Sequence, residues 1–195
     1  NTLIDTPVAP VISGISSNSV TASWEVDKNA TNYEVTLYDS LGTNIFSTNK
    51  VDGSLVKTTF SNLSAQTSYT VGIKNVYPNG ASKQSPLAPF TTLKPSLTGV
   101  VTSNVSTTSV TLNWYPLPGA NSYEVYRDGV LIPANQANLN SNSIFYTFTG
   151  LLRGNVYKFG VRAAYFDGTK TLSFTDLVEV NQTLLTDPNF APISA

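Results

Sequence analysis

Few side chains in this 195-residue chain could carry chemistry, and those that could are carboxylates and aromatics. There is no Cys and no His. Thiolate nucleophiles, thiolate zinc sites, Ser-His-Asp hydrolysis and histidine acid–base work are therefore excluded from these residues. Two carboxylates can cleave a glycoside without His, and Glu34 and Glu124 are the tempting pair, each lying between a Tyr and a Val. One falls in each half of the chain, on the outward side of an alternating segment, where a solvated strand face accounts for it. We expect no catalytic residue, no cofactor and no metal ligand. Asp128-Gly129 and Asp167-Gly168 read as turns, because the spacing of a calcium loop is absent. Arg153-Gly154-Asn155 reads as turn chemistry too. Acceptor triplets for N-glycosylation begin at Asn29, Asn62, Asn104 and Asn181, and such matches arise by chance in a chain rich in Asn, Ser and Thr.

Aromatics offer the other chemistry, since a flat ring can stack on a pyranose face. Tyr38, Tyr77, Tyr126, Tyr165 and Phe166 are expected outside the core. Of these, Tyr38, Tyr126 and Phe166 are the candidate ligand contacts. Cross-strand packing on an exposed sheet is the competing and favoured explanation.

The elements that must position these residues follow from alternation. Val20, Ala22 and Trp24 alternate with Thr21, Ser23 and Glu25, and Tyr33, Val35 and Leu37 with Glu34, Thr36 and Tyr38. Tyr69, Val71 and Ile73 do the same, one face in and one out. Turn signals separate these runs: Asp39 to Gly42, Asp52-Gly53, Asp128-Gly129, Asp167-Gly168 and, strongest of all, Asn79-Gly80. Ala134 to Ser143 reads as a polar loop, and no amphipathic helix stands out.

The whole pattern occurs twice. Val20 to Trp24, Tyr33-Glu34-Val35 and Leu63 before Tyr69 return as Val110 to Trp114, Tyr123-Glu124-Val125 and Leu151 before Tyr157, about 90 residues later. Seven short strands per repeat, spaced about ten residues apart, predict an all-β chain of two immunoglobulin-like sandwiches in tandem. Their structural core is expected to include Trp24, Tyr33, Leu63, Tyr69, Trp114, Tyr123, Leu151 and Tyr157.

Composition narrows the partners. A net charge of −1 leaves no basic footprint for nucleic acid, and charged residues are only 12% of the chain. No run reaches the roughly 18 apolar residues of a membrane span, so no membrane insertion is expected. With no Met at any position, the chain reads as a processed chain or a piece of a longer protein.

As a set, the two Trp, the strand-opening Tyr pair and the Leu-to-Tyr spacing resemble the fibronectin type III family, twice over. The resemblance implies a Trp between the sheets and a late Tyr whose hydroxyl returns to nearby backbone. The Pro-Gly usual after the Leu is replaced by Ser64-Ala65-Gln66 in the first copy, and only Gly154 survives in the second. Tyr123 to Gly129 resembles the hairpin of such modules in bacterial extracellular glycan-degrading enzymes and surface proteins. The implied division is a tail or linker remnant over 1–6, sandwiches over 7–93 and 94–185, and a linker or the start of a further module over 186–195. Pro95 in the short joint forbids a helix there and leaves little freedom between the domains.

These features lead to one functional expectation with rivals. The chain is expected to be a non-catalytic spacer of a larger bacterial protein, secreted or on the cell surface. It would be monomeric, with the neighbouring domains of its parent as partners. The rival is an adhesion module binding a polysaccharide or a surface protein. A third reading is an accessory part of a phage tail or a receptor ectodomain.

Overall fold

In the computed structural model of the chain, residues 5–187 are described. The ends, 1–4 and 188–195, lie outside the described residues, and with them most of the expected tail and terminal linker. Two compact units divide the chain, Asn1–Lys94 and Pro95–Ala195.

The first unit holds β1 (Val11–Ser13), β2 (Val20–Ser23), β3 (Asn32–Asp39), β4 (Ile45–Asp52), β5 (Lys57–Phe60), β6 (Ser68–Tyr77), β7 (Gly80–Ala81) and β8 (Ala88–Thr91). They form one sheet in the order β1-β2-β5 and another in the order β4-β3-β6-β7, with β8 also on β6. The second unit holds β9 (Val101–Ser103), β10 (Val110–Asn113), β11 (Ala120–Arg127), β12 (Val130–Leu131), α1 (Ala134–Ala137), β13 (Phe145–Phe148), β14 (Val156–Phe166), β15 (Leu172–Phe174) and β16 (Val178–Thr183). Its sheets run β13-β10-β9 and β12-β11-β14-β15, with β16 also on β14. Every strand pair is antiparallel. The architecture is all-β, two sandwiches in tandem.

Period-2 alternation explains the core. Val20 and Ala22 of β2, and Tyr33, Val35 and Leu37 of β3, are buried against Tyr69, Val71 and Ile73 of β6. Val110, Leu112, Trp114, Tyr123, Val125, Phe159 and Val161 repeat this in the second unit. Tyr33, Tyr69, Trp114, Tyr123 and Leu151 are each at most 4% exposed. Trp24, Leu63 and Tyr157 are only partly buried, packed against the core rather than enclosed by it. The Trp pair shows why. Trp114 Nε1 donates to the Ser143 carbonyl at 2.9 Å, in the long connection before β13. In the first unit only Gly53 to Val56 join β4 to β5, and Trp24 Nε1 is buried without a partner among the described residues.

Several local expectations need correction. Alternation does not leave the far side of β6 open: Thr70 and Gly72 are buried as well. A Cβ on Gly72 would lie 2.8 Å from Leu87 Cδ2 and closer still to Gln84 Nε2, so these two side chains cover that face. Tyr165, expected outside, is 3% exposed, because strand alternation turns it inward from β14. The polar segment after β12 contains one helical turn, α1, closed by Asn138 at φ 47°. The Asn79-Gly80 hairpin is displaced by one residue. Tyr77 pairs with Gly80, so Pro78 and Asn79 form the turn, and Pro78 brings the fixed φ that suits its first corner. Asp128-Gly129 is a two-residue hairpin turn where the sequence places it, with both φ values positive at 50° and 79°.

The last strand of each sandwich is broken in two, and side chains bridge the break. Ser82 and Ser85 donate their N–H groups to the carbonyls of Asn75 and Ile73. In return the Asn75 and Ile73 N–H groups donate to the hydroxyls of Ser82 and Ser85, at 2.9 and 3.0 Å. Thr175 does the same for Ala163, at 2.9 Å. All three hydroxyls belong to buried residues, so deleting one strands a buried amide. Ser85→Ala should therefore lower unfolding free energy by about 1–3 kcal/mol in denaturant titration. Ser85→Thr, which keeps an acceptor as Thr175 does, should cost clearly less than that.

Candidate functional site

The sequence offers carboxylates and outward aromatics, and the structure shows what each is engaged in. Glu124 sits on the outer face of β11, opposite Arg162 of β14. Its Oε2 accepts from Arg162 Nε and from one terminal nitrogen, both at 2.7 Å, and from the Tyr126 hydroxyl at 2.8 Å. The guanidinium lies 4.0 Å from the centre of the Phe174 ring and 5.4 Å from that of Tyr126. Burial, followed by the bond to Glu124, raises the Tyr126 pKa above the usual phenol value. Glu34, the counterpart in the first unit, lies opposite Lys74 on β6 and 3.9 Å from Lys50. The two glutamates are thus used in separate units, each against a cation, and neither faces a second carboxylate.

Of the candidate ligand contacts, Tyr38 is half-buried and donates its hydroxyl to Gln84 Oε1 at 3.2 Å. Tyr126 and Phe166 share one sheet face of the second unit, but they do not meet. Tyr126 faces Gly160, and Phe166 stands six residues further along β14, roughly 20 Å at strand rise. Arg162 and Phe174 lie between them, and neither was recognisable beforehand. Phe166 is 54% exposed beside its partner Leu172. Tyr77 is engaged elsewhere: its hydroxyl donates to Asp27 Oδ2 at 2.6 Å, and buried Asn75 donates to the same oxygen at 3.1 Å. Among the described residues no group of three or more His, Cys, Asp or Glu could hold a metal. No helix among them is long and apolar enough to cross a membrane.

The tyrosine hydroxyls form a set of their own. Tyr69 accepts from the Ser64 N–H at 3.1 Å and Tyr157 from the Leu152 N–H at 2.9 Å, as the late-Tyr motif implies. Tyr33 and Tyr123 do likewise at the other end of each sandwich, taking the N–H groups of Asp27 and Leu117 at 2.8 and 2.9 Å. That second pair of corners was missed. The equal six-residue spacing from loop to Tyr in both repeats was the available signal.

Comparison with known proteins matches the fibronectin type III domain model over residues 5–91 and again over 94–175. The chain belongs to the fibronectin type III family. A two-domain fibronectin type III segment of chicken tenascin shares the fold at a TM-score of 0.56 and 16% identity, covering 92% of this chain and 99% of that one. Among curated proteins, "Exochitinase 1" of Streptomyces olivaceoviridis is 43% identical over 60 residues, 31% of this chain and 9% of that enzyme. A "Poly(3-hydroxybutyrate) depolymerase" of Delftia acidovorans is 39% identical over 77 residues, 39% of this chain and 15% of the enzyme. The matched parts are thus small fractions of these bacterial relatives.

The corner tyrosines of the two domains differ in burial, and that sets the expected cost of losing the hydroxyl. Tyr69 is 3% exposed and its bond is part-buried, while Tyr157 is only partly buried and its bond to the Leu152 N–H lies at the surface, where water can replace it. Tyr69→Phe should cost about 1–2 kcal/mol in equilibrium unfolding, and Tyr157→Phe less. Acid should also act on the first domain through Asp27. The Tyr77 hydroxyl, and after it the Asn29 N–H, hold the Asp27 carboxyl below its ordinary value of 3.8. A depressed folded pKa stabilises above the unfolded value and is lost as pH falls through the folded one. Melting temperature should therefore be level near neutrality and fall once pH drops below about 4, with a shallower fall in Asp27→Asn.

Proposed function

We propose that this tandem pair is a non-catalytic spacer or accessory module of a larger bacterial protein, secreted or on the cell surface, which positions the parent's other domains. One observation carries this reading. Two enzymes named for different polymers each contain a stretch that resembles part of this chain, over 60 and 77 residues, amounting to 9% of one and 15% of the other. So small a part, found in enzymes named for different substrates, supports an accessory role better than a catalytic one. The side-chain engagements agree: Glu34 and Glu124 are paired with cations, and the hydroxyls of Tyr33, Tyr69, Tyr123 and Tyr157 are spent on loop backbone. Fold alone would not choose among the roles a sandwich can host.

A binding role is the rival, and the outer face of the second domain favours it most, where Tyr126, Arg162, Phe174 and Phe166 follow one another. Sedimentation of the pair with chitin, cellulose and peptidoglycan suspensions separates the two. As a spacer it should show no affinity tighter than about millimolar. Replacing it in the parent by a flexible linker should then spare turnover of a small soluble substrate and change only action at a distance. Micromolar binding that Tyr126→Ala or Phe166→Ala abolishes would establish the rival instead.

A further inference from the structure

We propose that the tip of the β6–β7 hairpin is a site of self-modification, at which Asn79 converts to aspartate or isoaspartate through a cyclic imide formed with Gly80. Four turn dipeptides of the chain could cyclise in this way: Asp52-Gly53, Asn79-Gly80, Asp128-Gly129 and Asp167-Gly168. In each, the attacking nitrogen belongs to a glycine, whose missing side chain leaves the approach unhindered. What sets the four apart is the engagement of the side chain that must be attacked.

The three aspartates are held. Asp52 Oδ1 accepts from the Ser54 N–H at 2.9 Å and from the Ser54 hydroxyl at 2.6 Å. Asp128 Oδ1 accepts from the Lys158 N–H at 2.8 Å. Asp167 Oδ1 accepts from the Thr169 N–H at 2.9 Å, the Thr169 hydroxyl at 2.7 Å and the Thr171 N–H at 3.0 Å. A carboxylate fixed by such donors does not swing over the next peptide nitrogen. Gly53 is enclosed as well: its N–H donates to the Thr31 carbonyl at 2.9 Å, and a Cβ there would lie 2.5 Å from the Ala30 carbonyl oxygen.

Asn79 differs in each respect. Its side chain is exposed and, among the described residues, makes no hydrogen bond. Gly80 is exposed too, with nothing within 4 Å of where a Cβ would stand. Only two pairs close the tip, Tyr77 with Gly80 and Val76 with Ala81, and both residues of β7 are exposed. Beyond them Ser82 grips Asn75 through its N–H and its hydroxyl, at 2.9 Å each. The tip can therefore open and release the Gly80 nitrogen while the rest of the sheet stays in register. That nitrogen loses its proton to solvent base and bonds to the Asn79 side-chain carbonyl carbon. The bond from this carbon to Nδ2 breaks, and ammonia leaves. Water then adds to either imide carbonyl and opens the ring, to aspartate by one route and isoaspartate by the other. The product adds one negative charge to a chain of net charge −1, at a hairpin tip.

Incubation of the full chain in neutral and mildly alkaline buffer made with heavy-oxygen water, followed by tryptic mapping, reads the reaction. The peptide 75–83 should gain the mass of an acid for an amide, with one heavy oxygen, at Asn79 and not at buried Asn75. The gain should be faster at the higher pH, because the deprotonated nitrogen is the nucleophile. Isoaspartate should appear there before it appears at Asp52, Asp128 or Asp167. A synthetic peptide of residues 75–83 serves as the clock, and the folded chain should convert within about tenfold of its rate, since such tips open at little cost. Asn79→Gln should abolish the new acidic species and leave the melting temperature unchanged. Conversion slower than this in the folded chain would overturn the proposal, by showing that the closed hairpin guards its nitrogen. So would earlier reaction at another asparagine or at an Asp-Gly turn, or an acidic product at Asn79 without isoaspartate, the mark of direct amide hydrolysis.

Discussion

The two sheets of each sandwich share no hydrogen-bonded ladder, so side chains join them, helped at the ends by loop bonds such as the Leu93 N–H to the Ser16 carbonyl and the Leu185 N–H to the Ser106 carbonyl. With no cysteine available, most of the connection rests on apolar burial and a few hydroxyls. The Trp–Tyr contact is the centre of it, with ring centres 5.2 Å apart for Trp24 and Tyr33 and 5.3 Å for Trp114 and Tyr123. Around that contact, the corner tyrosines turn their hydroxyls to loop N–H groups at both ends of each domain. The rings fill the space between the sheets and the hydroxyls pin the chain where it crosses from one sheet to the other. One residue type thus serves packing and loop geometry together.

What could be foreseen in the residues was what depends on short range. Val20-Thr21-Ala22-Ser23 and Tyr33-Glu34-Val35-Thr36 announce strands because their neighbours alternate, and Asp128-Gly129 announces a hairpin because both residues tolerate positive φ. Asn79-Gly80 misled because Pro78, one residue earlier, is the better first corner. The outward cluster of the second domain was out of reach for a different reason. Arg162 meets Glu124 only through the β11–β14 register and Phe174 only across the last hairpin, and no local pattern encodes such meetings. The covering of Gly72 by Leu87 and Gln84 escaped in the same way: the glycine is visible in sequence, while the side chains that close over it arrive from a broken strand.

The two domains repeat their cores and differ at their edges. Tyr33 and Tyr123, Tyr69 and Tyr157, and Phe60 and Phe148 hold equivalent places. The fourth strand is eight residues in the first domain and two in the second, where a longer connection with α1 takes its place. Duplicated folds can vary there at little cost, because edge residues add few contacts to the common core.

The broken last strands bear on how strand alignment is kept. A ladder made of backbone groups alone reads the same after a slip of two residues, since the same face stays buried. At Ser82, Ser85 and Thr175 the acceptor is a hydroxyl, and a slip would place a different side chain before the waiting amide. The final strand is therefore keyed to its neighbour by residue identity, one tooth at a time. In a chain with few charges to tell one strand from another, these hydroxyls mark the native alignment by residue identity.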